Sequence, residues 1–173
     1  MPTWVMNNLL IYSNDRNQKE LIDFLEQHLI DDIFDFNTVI PEPQKPDECR
    51  EKYDFNVNGK DSTGFDDWFD WYHWRLDHWG TKWNNGDKTY FDYDKILNSD
   101  ISVLNELSIC FRTAWNAPYQ VAVKLIEMHP ELDISWNYYS FENMEAGTIF
   151  VYDGEIIDDR YQLDNCNETI LKV

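Results

Sequence analysis

Five of the chain's eight tryptophans lie within sixteen residues, in the segment WFDWYHWRLDHWGTKWNN that runs from Trp68 to Asn85. Rings of this size bury a large apolar area, so the fold or a partner has to shelter a segment this rich in them. Acidic residues and histidines stand between the tryptophans. This mixture is compatible with three uses: a piece of core, a binding surface or a metal site.

We predict a helix from about Asp66 to Trp79, ended by Gly80, because glycine is the preferred residue just beyond a helix. At roughly 100° per residue this helix has three faces. The first is apolar and is expected to pack on a sheet; it comprises Trp68, Phe69, Tyr72, Leu76 and Trp79. The second comprises Trp71, Trp74 and His78, and the third comprises Asp66, Asp70, His73 and Asp77.

The second and third faces each have two interpretations. Trp71 and Trp74 either pack beneath the polar segment 47–64 or remain exposed as anchors for a protein partner, a role in which tryptophan is enriched. The third face is either a solvated surface or a ligand set for a divalent cation that activates water for phosphodiester cleavage. We favour the solvated surface, because the spacing matches no known ligand signature, and we expect no metal and no cofactor.

Elsewhere the apolar periodicity alternates between strands and helices. Residues Trp4 to Tyr12 predict a strand, and NQKELIDFLEQHLI, which follows, predicts an amphipathic helix. Further strands are predicted at 88–94, 107–113, 132–139 and 148–152, and a second helix at 119–129. This order of elements predicts an α+β fold, a split βαβ sandwich whose antiparallel sheet carries helices on one face.

The chain length of 173 residues fits one domain that spans residues 1–173. We expect a Trp-rich helical insertion at about 44–86. We also expect an acidic C-terminal extension at about 153–173, which forms either a last strand or a loose edge.

The net charge of the chain is −19, from 14 Lys+Arg and 33 Asp+Glu. A magnitude of about 2 to 8 already keeps a small domain in solution, so the excess needs another explanation. Such a field repels nucleic acid and anionic membranes and attracts basic surfaces. We therefore expect a basic protein partner, no direct binding to duplex DNA and no membrane association.

The cysteines and the amino terminus predict a compartment. Cys49, Cys110 and Cys166 are widely spaced and odd in number, which argues against a disulfide framework and favours a reducing environment. The first residues lack the basic start and long apolar run of a signal peptide. No apolar stretch approaches the ~20 residues of a membrane span. We expect a cytoplasmic protein.

Five stretches follow one another through most of the chain. They are MPTW followed by Asn7 and Asn8, DFNTVIP at 35–41, HWGTKWN at 78–84, FRTAWNAP at 111–118 and ENMEAG at 142–147. Together they resemble the YubB-like family, proteins of phages, plasmids and other mobile elements. The resemblance implies a ferredoxin-like fold and residence in a host cell, and it supplies no catalytic residues. It also implies a common pocket lined by Thr81, Lys82, Thr113 and Trp115.

Three functions are compatible with these features. We favour an acidic nucleic-acid mimic that binds the basic groove of a host defence enzyme, as an anti-CRISPR protein that acts on an RNA-guided nuclease or its guide RNA, because such nucleases hold their heteroduplex in a positively charged channel. Its expected contacts are Trp71, Trp74, Asp66, Asp70, Asp77, Asp158 and Asp159.

The second function is a metal-dependent nuclease or guide-RNA-trimming factor that uses Asp66, Asp70, His73 and Asp77. The third is a non-catalytic accessory module for phage or plasmid maintenance. The sequence thus favours a binding protein and leaves an enzymatic activity open.

Overall fold

The computed structural model of the chain describes residues 3–13, 18–31, 33–42, 71–85 and 106–163. Its elements, in chain order, are β1 (Trp4–Ser13), α1 (Gln18–His28), β2 (Leu29–Ile30), β3 (Ile33–Phe34), a 3₁₀ helix (Phe36–Thr38), α2 (Trp71–His78), β4 (Glu106–Ala114), α3 (Tyr119–Met128), β5 (Leu132–Ser140), β6 (Glu145–Tyr152) and β7 (Glu155–Gln162). The described chain is therefore an α+β structure, as the periodicity predicted.

A five-stranded antiparallel sheet in the order β4–β1–β5–β6–β7 forms the centre of the described structure. Strand β1 pairs with both β4 and β5, so Leu9 lies between Ile109 on one side and Trp136 on the other. Because β4 and β5 are each antiparallel to β1, they run parallel to each other, and α3 connects them. Strands β2 and β3 form a separate two-stranded pair.

One face of the sheet builds the core. Along β1, buried residues alternate with partly exposed ones, which is the period of two expected for a sheet covered on one face. The buried positions of β1 are Val5, Asn7, Leu9, Ile11 and Ser13. The apolar residues among them pack in one cluster with buried side chains of α1 and α3, including Phe24 and Leu125.

Asn7 is a polar side chain in this core, and all of its hydrogen-bonding atoms have partners. Its Nδ2 donates to the Val5 carbonyl at 3.1 Å and to Thr113 Oγ1 at 2.9 Å. Its Oδ1 accepts a hydrogen bond from Trp136 Nε1 at 3.0 Å. A buried amide is tolerated only when its polar atoms are paired in this way, so Asn7 fixes side chains of the two strands on either side of β1.

The predicted strands and helices are confirmed with small changes of boundary wherever the structure describes them. The strand predicted at 107–113 is β4, and the helix predicted at 119–129 is α3. The acidic extension provides β7, which pairs along the whole of β6, so its first part is a strand and not a loose edge. The strand predicted at 88–94 and most of the insertion at 44–86 lie outside the described residues.

Two buried histidines meet where α1 and α3 end. The Nε2 atoms of His28 and His129 are 2.8 Å apart, and His28 Nδ1 is 2.8 Å from Thr38 Oγ1. The Thr38 hydroxyl donates to the Asp35 carbonyl at 2.6 Å, so it accepts from His28 Nδ1–H. When His28 is neutral, its Nε2 is left as an acceptor for His129 Nε2–H, and the other ring nitrogen of His129 lies 3.1 Å from the Glu131 carboxylate. Burial disfavours a charge on His28, so the neutral ring is the favoured form.

Protonation of His28 is expected to weaken the fold. Burial, and secondarily the neighbouring His129, lowers the pKa of His28 from 6.5 to about 4. As the pH falls from 6.5 towards 4, the unfolded chain binds this proton and the folded chain does not, so His28 lowers the free energy of unfolding by about 1.4 kcal/mol per pH unit. The substitution His28→Gln should remove this contribution, as measured by chemical denaturation at a series of pH values.

His73→Gln is the matched control, because His73 is exposed on α2. We expect this control to keep the wild-type pH dependence. Equal slopes in wild-type protein and His28→Gln over this pH range would show that His28 does not titrate as the buried geometry requires.

Candidate functional site

Trp74, which the sequence left either packed or exposed, is packed. It is 5% exposed, its ring stacks on His78 with centroids 4.4 Å apart, and it meets Trp79 edge-on at 5.6 Å. Trp74 therefore packs within the protein, which leaves little of its ring exposed for a partner. Trp79, which the helical wheel placed on the first face, is also buried, whereas the other described members of that face are only partly buried, so the buried side of α2 includes Trp74. The side chain of Trp71 lies outside the described part.

The carboxylates predicted as partner contacts have different environments. Asp77 is exposed on α2 and Asp159 is exposed on β7. Asp158 accepts hydrogen bonds from Tyr138 and Arg160 within the protein. Asp66 and Asp70 lie outside the described residues.

His73, the remaining member of the predicted metal set, is exposed. Within the described ranges, no three or more His, Cys, Asp or Glu side chains are placed to hold a metal ion.

Exposed carboxylates gather at one end of the sheet, where β1 and β6 finish and β4, β5 and β7 begin. We call this region the acidic end; its exposed acidic residues are Glu106, Glu131, Asp133, Asp153 and Glu155. Cross-strand pairing places Tyr12 between Glu106 and Asp133. The register of the sheet thus assembles carboxylates that are far apart in sequence.

The electrostatic field of the acidic end acts on Tyr12. Burial raises the pKa of the Tyr12 hydroxyl, and the carboxylates of Glu106 and Asp133 raise it further. Within the described sheet the basic residues are Arg112 and Arg160, and both lie nearer the opposite end. Of the six carboxylates in these strands, three lie at the acidic end and three lie away from it, so the acidic end is distinguished by having no basic residue of the same strands to compensate its charge.

The stretches HWGTKWN and FRTAWNAP meet at the opposite end. Thr81 is buried and donates at 2.7 Å to a backbone carbonyl of the second stretch, and Thr113 is buried and donates at 2.8 Å to a carbonyl of its own stretch. Lys82 Nζ lies 4.6 Å from the ring centre of Trp83 and 5.1 Å from that of Trp115. Of the four residues expected to line a common pocket, only Trp115 borders the cavity that is found here.

This cavity has a volume of about 320 Å³ and opens on the covered face of the sheet. Val5 and Ile149 give it an apolar lining, and Trp115 and Tyr119 give it aromatic walls. Trp115 has a left-handed backbone with φ of 73°, a conformation that costs a residue with a side chain about 1–3 kcal/mol and is concentrated at functional sites. Cavities of this size with mixed lining are the usual places where proteins bind small molecules.

A chain of hydrogen bonds fixes the charged side of the cavity. The Tyr138 hydroxyl donates to Asp158 Oδ1 at 2.9 Å, and Arg160 Nε donates to Asp158 Oδ2 at 2.5 Å. The guanidinium of Arg160 lies 5.9 Å from the ring centre of Tyr119, and its Nη1 is 3.9 Å from the Glu145 carboxylate.

Two of these groups keep their protons at neutral pH. Burial and the bond to Asp158 raise the pKa of the Tyr138 phenol, and the bond to Asp158 raises the pKa of Arg160. The phenol therefore stays protonated and the guanidinium stays charged, so Tyr138 and Arg160 both act as donors to Asp158.

Gly147 makes room for this chain of bonds. It lies on β6, between Tyr138 on β5 and Arg160 on β7. A Cβ at this position would meet the Tyr138 hydroxyl. The absence of a side chain lets the phenol cross β6 and reach Asp158.

The sequence did not point to this cavity. Its charged residues, Glu145 and Arg160, come from segments that the sequence predicted as a turn and as an acidic tail. The signal that was available is the adjoining FRTAWNAP stretch, which contains Trp115.

No family model, curated protein or solved structure matched the chain in comparisons with known proteins. In the ranges that the structure describes, no helix combines the length and apolarity needed to cross a membrane.

The substitution Gly147→Ala should displace the Tyr138 phenol. Because overpacking of this kind costs about 1–3 kcal/mol, we expect a loss of that size in the free energy of unfolding, measured by urea denaturation. The penalty should be smaller in a Tyr138→Ala background, which lacks both the hydroxyl and the ring carbon that the new methyl group would meet. Additive effects of the two substitutions would contradict this packing.

Proposed function

We propose that this protein inhibits a host nucleic-acid-processing enzyme by occupying its basic groove, without catalysis of its own. The target class that we propose is an RNA-guided nuclease, and the protein would then be an anti-CRISPR protein. The observation that carries the proposal is the acidic end, where exposed carboxylates from several strands stand together in a chain of net charge −19.

The placement of the charges suits a polyanion mimic. Glu106 and Asp133 flank Tyr12 on neighbouring strands, so their spacing is set by a rigid sheet and not by a flexible tail. Exposed charges act over a Debye length of ~8 Å at physiological ionic strength, and a partner groove within that distance would meet several carboxylates at once. Complementary fields of this kind speed association by about 10–10³-fold.

We therefore propose the acidic end of the sheet, and not the tryptophan helix, as the surface that contacts the target enzyme. Asp159 and Asp77 are further exposed carboxylates, whereas Trp74 and Asp158 are used within the protein. Tyr152, which pairs with Glu155 at the acidic end and is 71% exposed, is the aromatic side chain placed to anchor a partner there.

The proposed biological setting rests on the resemblance to the YubB-like family. We propose a ferredoxin-like fold, a mobile-element origin and a place of action in the host cytoplasm. The connection of β4 to β5 by α3, with β1 between the two parallel strands, supports the split βαβ arrangement.

Salt-dependent capture tests the proposed function. Immobilised protein should retain a purified RNA-guided nuclease loaded with its guide, and retention should fall steeply between low and high salt, because the attraction is between opposite charges. Cleavage of the target DNA should fall in parallel as the protein is added. Nucleases that are not retained, or are retained equally at every salt concentration, would rule out this mode of inhibition.

Charge reversal tests the acidic end itself. The triple substitution Glu106→Lys, Asp133→Lys and Glu155→Lys should weaken binding to the nuclease by at least about tenfold. The matched control is Asp23→Lys, Glu26→Lys and Glu127→Lys, exposed positions on α1 and α3, which changes the net charge by the same amount. Equal weakening in both variants would mean that total charge, and not the acidic end, determines binding.

A further inference from the structure

The cavity beside Trp115 offers a hydrogen-bond donor next to an acceptor. Arg160 Nη1 and the Glu145 carboxylate are 3.9 Å apart, which is longer than a hydrogen bond. Asp158 already accepts hydrogen bonds from the Tyr138 hydroxyl and from Arg160 Nε. The bond from Arg160 Nε orients the guanidinium. A ligand in the cavity therefore meets a guanidinium held in place and a carboxylate, both with capacity for further hydrogen bonds.

The rest of the lining favours a flat, partly apolar ligand. Trp115, Tyr119 and Tyr138 are aromatic side chains of the lining. Val5 and Ile149 are apolar. Aromatic side chains bind nucleobases by stacking, because every base has a flat π-face. Gln120, an exposed amide at the cavity, adds one more group that both donates and accepts.

The charge around the cavity disfavours an anionic ligand. Among the described residues, Arg160 is the one basic residue that lines it, and Glu145 and Asp158 place two carboxylates beside this cation. The whole chain has a net charge of −19. A phosphate group would be repelled by both the local and the overall field, so the favoured ligand carries no phosphate.

We propose that this cavity binds an unphosphorylated purine nucleoside through a base edge that presents N–H donors beside a carbonyl oxygen, which is the edge of guanine. Glu145 accepts from the N–H groups of the base, and Arg160 donates to its carbonyl oxygen. Arginine pairs with the carbonyl and ring nitrogen of guanine, and carboxylates accept from amino groups of bases. This site is at the end of the sheet away from the acidic end, so failure of the proposed inhibition would not contradict nucleoside binding here, and failure of nucleoside binding would not contradict the inhibition.

Isothermal titration of the full chain with guanosine tests the proposal. We expect saturable binding of guanosine, and binding at least about tenfold weaker for adenosine, whose edge lacks the carbonyl. Guanosine 5′-monophosphate should also bind more weakly than guanosine. Phenylalanine, which pairs an ammonium and a carboxylate with an aromatic ring, is the competing ligand and should not bind.

The decisive variant is Glu145→Gln, which should weaken guanosine binding by about tenfold or more, because a charged acceptor is lost. Glu142→Gln is the matched control: it removes the same charge from an exposed position on the turn just before β6, and should bind as the wild type does. Thermal unfolding of both variants checks that they are folded.

Four results would overturn the proposal. They are absence of saturable guanosine binding to the wild type, unchanged binding in a folded Glu145→Gln variant, tighter binding of the monophosphate than of guanosine, and binding of phenylalanine in place of guanosine.

Discussion

The pairing of β1 with strands on both sides is the constraint on which the rest of the described structure depends. It sets the register of β4 and β5, and the buried amide of Asn7 reinforces that register by bonding Thr113 on one neighbour and Trp136 on the other. A shift of one residue would turn the apolar face of β1 to the outside and leave Asn7 unpaired. The positions of Glu106 and Asp133 at the acidic end follow from this register.

The two ends of the sheet have different chemistry for this reason. At one end the strands bring like charges together, which costs stability and is useful only if a cation or a basic surface compensates them. At the other end, cations lie against aromatic rings and carboxylates: Lys82 against Trp83 and Trp115, and Arg160 against Tyr119 and Asp158. The net charge of the described strands is thus more negative at the acidic end, because both of their basic residues lie away from it.

Much of the fold could be predicted from local patterns. The alternation in β1 and the helical spacing in α3 are direct consequences of which side chains are buried, and the burial of Trp79 follows from its size and apolar character. The orientation of α2 could not be predicted, because spacing along a helix does not show which of two adjacent aromatic faces the rest of the chain covers, and Trp74 on the second face is buried as well as Trp79 on the first.

The cavity could not be predicted for a different reason. Its charged side depends on the pairing of β6 with β7, which brings Gly147 next to Arg160, and no local pattern in an acidic tail encodes that pairing. The role of Gly147 is likewise visible only once Tyr138 lies across it. Sequence patterns report what one element does with its own residues, whereas this site is made by four strands and the start of α3 together.

Strand β7 is the outermost strand on its side of the described sheet, and this has a consequence for association with other chains. Its outward-facing backbone groups would form a template for a further strand if the side chains allowed close approach. Exposed charged residues at Glu155, Asp159 and Arg160 hinder such an approach, since an incoming strand would have to desolvate them. The acidic composition of this segment therefore also protects the sheet from edge-to-edge aggregation.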